Sequence, residues 1–320
     1  MKPIRRVRRG TLLLAAAIAG ALGAGRPAGG TGGDRDETIQ IGGVQRVYHV
    51  HLPPTAPAEG GLPLVIVFHG GGGTAKGAER QYGFNQLADA RGFVVVYPAG
   101  LDRRWNDGRG TTGQPWLNTV LVDDVSFVSA TIDHLRNALP IDARRVYAAG
   151  MSNGGILSHR LGCELSGKIA AIAPVAGTIA APEAPRCAPE TPVSVVEFHG
   201  TEDRFVPYGG GDILKQPERG TVLSVADTMA LWTRLDGCST TPRLADLPPS
   251  HPEDGTRIRR VTYGPCGRTS EVTLYTVIGG GHTWPGTAWI PLLGPVSRQI
   301  NATEIIWEFF ERHPKERRGR

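Results

Sequence analysis

Apolar residues recur along this chain in two alternating rhythms. Leu62–Phe68 and residues 93–97 are short, continuous apolar runs bounded by turn-forming residues, as strands buried on both faces of a parallel sheet read. Between them, residues 82–91 suit a short helix. From Asp124 the rhythm changes: Val125, Val128, Ile132, Leu135 and Leu139 recur at steps of three and four, one face of an amphipathic helix. A strand-like run then leads to Gly150, followed by a helix over about residues 155–165, strands at 169–173 and 193–198, and a helical stripe of Val222, Val225, Met229 and Trp232. A strand at 271–278 and a last helix from Asn301, carrying Ile305, Ile306 and Phe309 inward, complete the series. Asn301 and Glu304 stand at capping-box spacing; Asn301-Ala-Thr303 also matches a glycosylation acceptor, the less favoured reading. Near the start, residues 39–52 read as paired edge strands around Gly42-Gly43, with His49 and His51 on one face; no third metal ligand is evident, so both are read as structural. Strands alternating with helices predict an α/β fold, a mostly parallel central sheet with helices on both faces, without repeats or a second domain.

The chemistry begins where the run from Val146 breaks into Gly150-Met151-Ser152-Asn153-Gly154. This is the G-x-S-x-G nucleophile elbow, in which a strand reverses so sharply into a helix that the flanking positions cannot carry side chains. A serine needs a histidine to take its proton, and the histidine needs a carboxylate to hold its tautomer. In this class of turn the acid and then the histidine follow the serine along the chain. The strand at 193–198 runs into His199-Gly-Thr-Glu-Asp203, making Asp203 the expected acid and Glu202 the fallback. The strand at 271–278 runs into Gly279-Gly-Gly-His282, which supplies the histidine. The oxyanion hole needs backbone N–H groups, and His69-Gly70-Gly71-Gly72-Gly73 after Leu62–Phe68 matches the loop that donates one of them. Gly71 and Asn153 are the expected donors, with Gly70 or Gly72 open as alternatives because the glycine repeat blurs the register. No Gly-Lys-Ser/Thr follows the glycines, which argues against a phosphate loop. Asp123 and Asp124 precede a helix, where capping is the expected role.

The amino terminus changes the picture of charge and compartment. Lys2, Arg5, Arg6, Arg8 and Arg9 precede an apolar stretch over residues 11–24 that is short for a bilayer span, which reads as a signal peptide over residues 1–24. Ala19-Gly20-Ala21 offers a cleavage site, Gly23-Ala24 a second, and the paired arginines leave a twin-arginine route open. Residues 25–37 are expected to be a flexible linker and 38–320 a single catalytic domain. With Arg26, the first 33 residues hold six cations and no acid, so their removal takes the formal net charge from +5 to about −1. The basic balance therefore belongs to the leader, and a nucleic-acid partner is not expected. Cys163, Cys187, Cys238 and Cys266 all lie in the exported part, where an even count predicts disulfides. Cys163–Cys187 and Cys238–Cys266 are the favoured pairs, since each closes a local loop and leaves the elbow free. Their spacings match no zinc pattern, and no metal or cofactor is expected.

Several segments together carry a family resemblance: Val65-Ile-Val-Phe-His-Gly-Gly71, Val122-Asp-Asp-Val-Ser-Phe127, Gly150-Met-Ser-Asn-Gly-Gly155, Ala173-Pro-Val-Ala-Gly177, His199-Gly-Thr-Glu-Asp203, Gly281-His-Thr-Trp-Pro-Gly286 and Ala302-Thr-Glu-Ile-Ile-Trp-Glu-Phe-Phe310. In this order they resemble the polyhydroxybutyrate depolymerase and feruloyl esterase group of secreted α/β-hydrolases, related to carbohydrate esterase family 1, over about residues 38–312. The resemblance implies a serine esterase with Ser152, Asp203 and His282 as its triad, acting on short polyhydroxyalkanoate oligomers or on feruloyl or acetyl esters of plant polysaccharide. Its partner is then an ester substrate, with no stable membrane insertion after signal cleavage. Trp284 is expected to wall the acyl pocket, with plain packing as the alternative, and the apolar insert over residues 287–296 to be a lid or a surface-packed loop. Two rivals stand beside this reading. A serine peptidase would use the same triad, and a non-catalytic carbohydrate-binding protein would keep the fold without the chemistry.

Overall fold

The computed structural model describes residues 33–55, 60–110 and 122–316; the expected signal peptide and residues 25–32 of the expected linker lie outside them. Strand β1 (Gly33–Ile41) turns through Gly42 and Gly43 into β2 (Val44–Leu52), with Ile41 opposite Val44. Residues 33–37, expected as linker, are therefore strand. The reason is cross-strand chemistry: Asp34 and Asp36 stand opposite His51 and His49, and each carboxylate lies 2.6 Å from its partner's Nδ1. The other ring nitrogens meet Glu79 and Asp89, each at 3.0 Å. The expectation that a third potential ligand is missing fails here, because Asp34, His49 and Glu79 present atoms within 4.8 Å of one another.

Strand β3 (Leu62–Phe68) is buried throughout and leads through α1 (Ala75–Tyr82) and α2 (Phe84–Arg91) to β4 (Val94–Pro98). The single helix expected over 82–91 is thus two, parted by Gly83 at φ +72°. The polar run of α1 hides its helical period; only Ala78 and Tyr82 are buried, and the Thr74 hydroxyl caps it by accepting from the Gly77 N–H. Then follow α3 (Asp124–Ala138), β5 (Ile141–Met151), α4 (Asn153–Glu164), β6 (Ala171–Val175) and β7 (Ser194–Gly200). A two-stranded ribbon, β8 (Gly211–Asp212) with β9 (Thr221–Val222), precedes α5 (Val225–Leu235). Val222 thus belongs to the ribbon rather than to the helix, which begins after the Ser224 cap. Strands β10 (Arg243–Asp246), β11 (Arg257–Tyr263) and β12 (Val272–Ile278) and helix α6 (Ala302–Arg312) close the chain. Asn301 caps α6 by accepting from the Thr303 and Glu304 N–H groups.

The main sheet has the order β1-β2-β4-β3-β5-β6-β7-β12-β11-β10. From β4 to β12 the pairings are parallel, and the strands at both edges are antiparallel, giving the mostly parallel sheet of an α/β-hydrolase. Side chains alternate across the sheet, so one strand feeds two cores. Leu64, Ile66 and Phe68 pack with Phe127, Leu157, Leu161 and Trp232 under α3, α4 and α5. Val65 and Val67 pack with Tyr82, Phe84, Phe309 and Phe310 under α1, α2 and α6. Both expected disulfides form, Cys163–Cys187 and Cys238–Cys266.

A buried ion pair ties the sheet edge to the loop behind the elbow. The Arg46 guanidinium donates to Asp124 Oδ1 at 2.6 Å and lies 4.1 Å over the Phe127 ring, while Asp124 Oδ2 accepts from the Asn106 N–H at 2.6 Å. Capping of α3 falls to Asp123 alone, which accepts from the Ser126 N–H; Asp124 is an interior anion, contrary to the expectation of a cap. Removing one member leaves the other charge buried and unpaired. Asp124→Ala is therefore expected to cost about 3–5 kcal/mol of stability in urea unfolding, and a loss below about 1 kcal/mol would show that the guanidinium finds another partner.

Candidate active site

Strand β3 runs outward to β4, and the chain then returns on β3's other side as β5. Such a reversal of strand order opens a crevice at the carboxyl ends of the two strands, where ligands of open α/β sheets bind. The loop after β3 is His69–Gly73, and the residue after β5 is Ser152. Ser152 sits at φ +56°, ψ −121°, a conformation that a non-glycine residue adopts only when its surroundings force it. Those surroundings are backbone: a Cβ on Gly150 would lie 2.4 Å from Gly154 O, and one on Gly154 2.6 Å from Phe68 O. The Ser152 N–H donates to Val175 O at 2.8 Å and its carbonyl accepts from the Ile156 N–H, so the turn is held from both sides.

The glycine loop has only part of its N–H groups to spare. The Gly72 N–H donates to Arg103 O and the Gly73 N–H to Gly70 O, both at 2.8 Å. Among the described residues the Gly71 N–H has no such acceptor, and a Cβ on Gly71 would stand 3.7 Å from Asn153 Cβ. Asn153 is the first residue of α4, so its own N–H has no acceptor within the helix and lies at the positive end of the helix dipole. Its side chain is fully engaged: Oδ1 accepts from the Trp105 N–H, and Nδ2 donates to Trp105 O and to Asp107 Oδ2 at 2.6 Å. His69 braces the loop from below. Its Nε2 accepts from the Gly100 N–H, which leaves the proton on Nδ1 to donate to Gly70 O at 2.8 Å. Burial holds the His69 pKa below its ordinary value of 6.5, which preserves that neutral tautomer.

Asp203 follows β7 and is buried, whereas Glu202 beside it is exposed and does not reach the site. Asp203 Oδ1 accepts from the Phe205 and Val206 N–H groups, and Oδ2 lies 2.7 Å from His282 Nδ1. A carboxylate partner on Nδ1 puts the imidazole proton there and leaves Nε2 as the basic nitrogen. The Phe205 ring stacks on His282 at 4.8 Å and also lines the cleft that exposes Ser152. The Ser152 hydroxyl makes no hydrogen bond among the described residues, as is common in substrate-free sites.

Behind Asp203 stands a group that sequence reading missed. His199 donates from Nε2 to Val206 O at 2.9 Å, with Asp203 Oδ2 at 3.5 Å, and its Nδ1 faces Glu197 Oε1 at 3.4 Å. On the other side His159 accepts at Nδ1 from the Trp232 indole, which leaves Nε2 to donate to Gly177 O. That aim explains why Glu197 Oε2, although 3.4 Å from His159 Nε2, accepts no hydrogen bond. Burial alone would raise the Glu197 pKa, but its contacts with His159 and His199 outweigh burial and hold it below 4.5. Burial would likewise lower that of His199, and Glu197 and Asp203 outweigh it and hold it above 6.5. The signal in the sequence was two polar residues, Glu197 and His199, alternating with the apolar Val196 and Phe198 in a buried strand.

Trp284 is not in the cleft. It is buried, stacks on Tyr82 at 4.2 Å and donates to Thr303 Oγ1 at 3.0 Å, so the expected acyl-pocket wall is a core residue joining the loop after β12 to α6. The apolar insert over 287–296 is a surface-packed loop rather than a lid. Trp289 is 63% exposed, and the insert lines a separate groove with Asp254 and Arg298. Its contribution is to hold the histidine loop: Leu293 O and Pro295 O accept from the His282 and Gly281 N–H groups.

The family described as "Esterase PHB depolymerase" matches residues 46–188. The chain is 33% identical over 283 residues to "Putative esterase NocK" of Nocardia uniformis subsp. tsuyamanensis, covering 85% of this chain and 80% of that protein. It is 30% identical over 242 residues to "Feruloyl esterase B" of Piromyces equi, covering 73% of this chain and 42% of that longer protein. Among solved structures, an acetyl xylan esterase from Aspergillus awamori shares the fold with a TM-score of 0.56 at 14% identity, over 87% of this chain and 99% of that one. The chain belongs to the esterase PHB depolymerase family, in the group that includes feruloyl esterases, and is a carboxylic-ester hydrolase.

Proposed function

We propose that this esterase works by acyl transfer through Ser152, His282 and Asp203, on short hydroxyalkanoate oligomers or on feruloyl or acetyl esters of plant polysaccharide. The observation that carries the reading is the 2.7 Å His282–Asp203 contact, joined through the Phe205 ring to the cleft that exposes a serine held at φ +56° on a nucleophile elbow. His282 Nε2 takes the Ser152 proton as the hydroxyl attacks the ester carbonyl, and Asp203 stabilises the imidazolium that results. The N–H groups of Gly71 and Asn153 hold the oxyanion, the alcohol leaves with the proton, and water repeats the steps on the acyl-enzyme. The two disulfides support an exported protein, and no helix among the described residues is long and apolar enough to cross a membrane.

Asp203 must stay oriented for this chemistry, and the His199–Glu197 pair behind it is built to be charged. The stabilisation from the His199 cation is full below pH 6.5 and is lost as pH rises through its raised pKa. That from Glu197 is full above pH 4.5 and is lost as pH falls through its lowered pKa. Their joint contribution is therefore greatest between these two values.

Two measurements check these statements. Ser152→Ala is expected to lower kcat/KM on methyl ferulate, acetylated xylo-oligosaccharide or a soluble 3-hydroxybutyrate trimer by about four orders of magnitude, with the thermal melt retained. Undiminished turnover by the purified variant would remove Ser152 from the mechanism. Glu197→Gln is expected to cost about 3–5 kcal/mol in urea unfolding between pH 4.5 and 6.5. The difference should narrow on both sides of that window; a pH-independent loss would mean that the pair is not ionised.

A further inference from the structure

The cleft that exposes Ser152 is small, about 180 Å³, and two kinds of side chain line it. Ile156, Phe205, Val206, Ile213 and Leu214 are apolar; Arg104, Arg109 and Arg219 are cationic, and none of the described residues lining it is acidic. Residues 111–121, which are not described, contain no aspartate or glutamate.

The three arginines differ in how their charge is met. Arg109 is neutralised locally: its Nε and Nη2 hold the Asp107 carboxylate at 2.8–3.0 Å, and its Nη1 donates to Arg219 O. Arg219 donates from Nε to the neutral side chain of Gln216. The guanidinium of Arg104 has no hydrogen bond or ion pair among the described residues. Its Nη1 stands 3.8 Å from where a Cβ on Gly71 would be, so it lies beside the glycine assigned to the oxyanion hole. Burial, together with the charges of Arg219 and Arg109, pushes its pKa below the ordinary arginine value, the mark of a cation facing other cations. An arginine drawn partly out of water is ordinarily met by a carboxylate. Among the described residues no carboxylate meets the Arg104 guanidinium, which lines the same cleft as Ser152.

We propose that the site selects esters that carry a free carboxylate, with Arg104 as its principal contact. The inference rests on the Ser152 esterase reading and narrows it to one substrate class. The guanidinium fork suits a planar carboxylate, and the apolar remainder of the cleft suits a short aliphatic chain between that carboxylate and the scissile ester. A hydroxy-acid oligomer with a free acid end has this form; neutral feruloyl and acetyl esters of sugars do not.

The test compares the linear dimer of 3-hydroxybutyrate with its primary amide, which has the same internal ester and no charge. Neutral 4-nitrophenyl acetate reports the basal esterase. The wild type is expected to favour the acid over the amide by about tenfold or more in kcat/KM. Arg104→Gln should bring the ratio close to one, and Arg104→Lys should retain part of the preference. A wild-type ratio near one overturns the proposal. So does an equal loss on acid and amide in Arg104→Gln, which would mean that the arginine serves the oxyanion of any ester. If neither dimer is cleaved while Ser152-dependent hydrolysis of 4-nitrophenyl acetate persists, carboxylate selection fails and the esterase reading stands. If 4-nitrophenyl acetate is also untouched, the esterase reading itself fails.

Discussion

The active edge of this protein depends on how closely the turn between β5 and α4 is pressed against the end of β3. Carbonyl oxygens of Phe68 and Gly154 occupy the space that side chains on Gly154 and Gly150 would need. That contact cannot relax without separating two central, parallel strands, β3 buried throughout and β5 buried from Val146 onward, so the strain at Ser152 is maintained by the hydrophobic cores on both faces of the sheet. It also brings the glycine loop after β3 beside the first turn of α4, so the two expected oxyanion donors come from separate loops. Fold stability and site geometry are thus the same quantity at this point of the chain.

From there the polar framework spreads outward in a connected series. Asn153 holds Trp105 and Asp107; Asp107 holds Arg109; the neighbouring Asn106 N–H is held by Asp124, which is paired with Arg46 in the interior. Each link satisfies a polar group that burial would otherwise leave at a cost in free energy, and the series ends at Asn153 and Arg109 in the lining of the cleft. The loop over residues 100–110 has little regular structure, yet its position is set by these bonds rather than by a helix or strand of its own.

That explains which parts could be read in advance. Wherever burial imposed a period, as in Leu62–Phe68 or the stripe from Val125 to Leu139, the elements could be placed from the sequence. The positions of Ser152, Asp203 and His282 after their strands were legible because each strand runs into glycine, in a fixed chain order. Strands β10 and β11 were missed because their arginines mask the alternation, and α1 because most of its surface is polar. Trp284 was misjudged for a physical reason: an aromatic two residues from His282 can face either side of its loop, and the partners that decide it, Tyr82 and Thr303, lie far away in sequence. The same limit hid the approach of His159 to Glu197 and the meeting of Arg219 with Arg104 and Arg109, since each joins distant segments.

The distribution of charge around Ser152 has a direction. In the proposed reaction an imidazolium forms at His282 and an oxyanion at the substrate carbonyl. Asp203 stands on the first side, the His199–Glu197 pair behind it being close to neutral in sum; the amino end of α4 and the arginines of the cleft stand on the second. Fixed charges and dipoles so arranged favour the charge separation of the transition state and need no reorganisation when it forms. A carboxylate bound to Arg104 would offset part of the positive field near the oxyanion. The burden of stabilising that charge would then fall on the N–H groups of Gly71 and Asn153, whose orientation is set by backbone packing around Gly150 and Gly154 and by the start of α4. A site of this kind can use a cation to choose its substrate because its catalytic stabilisation is supplied by dipoles the substrate cannot neutralise.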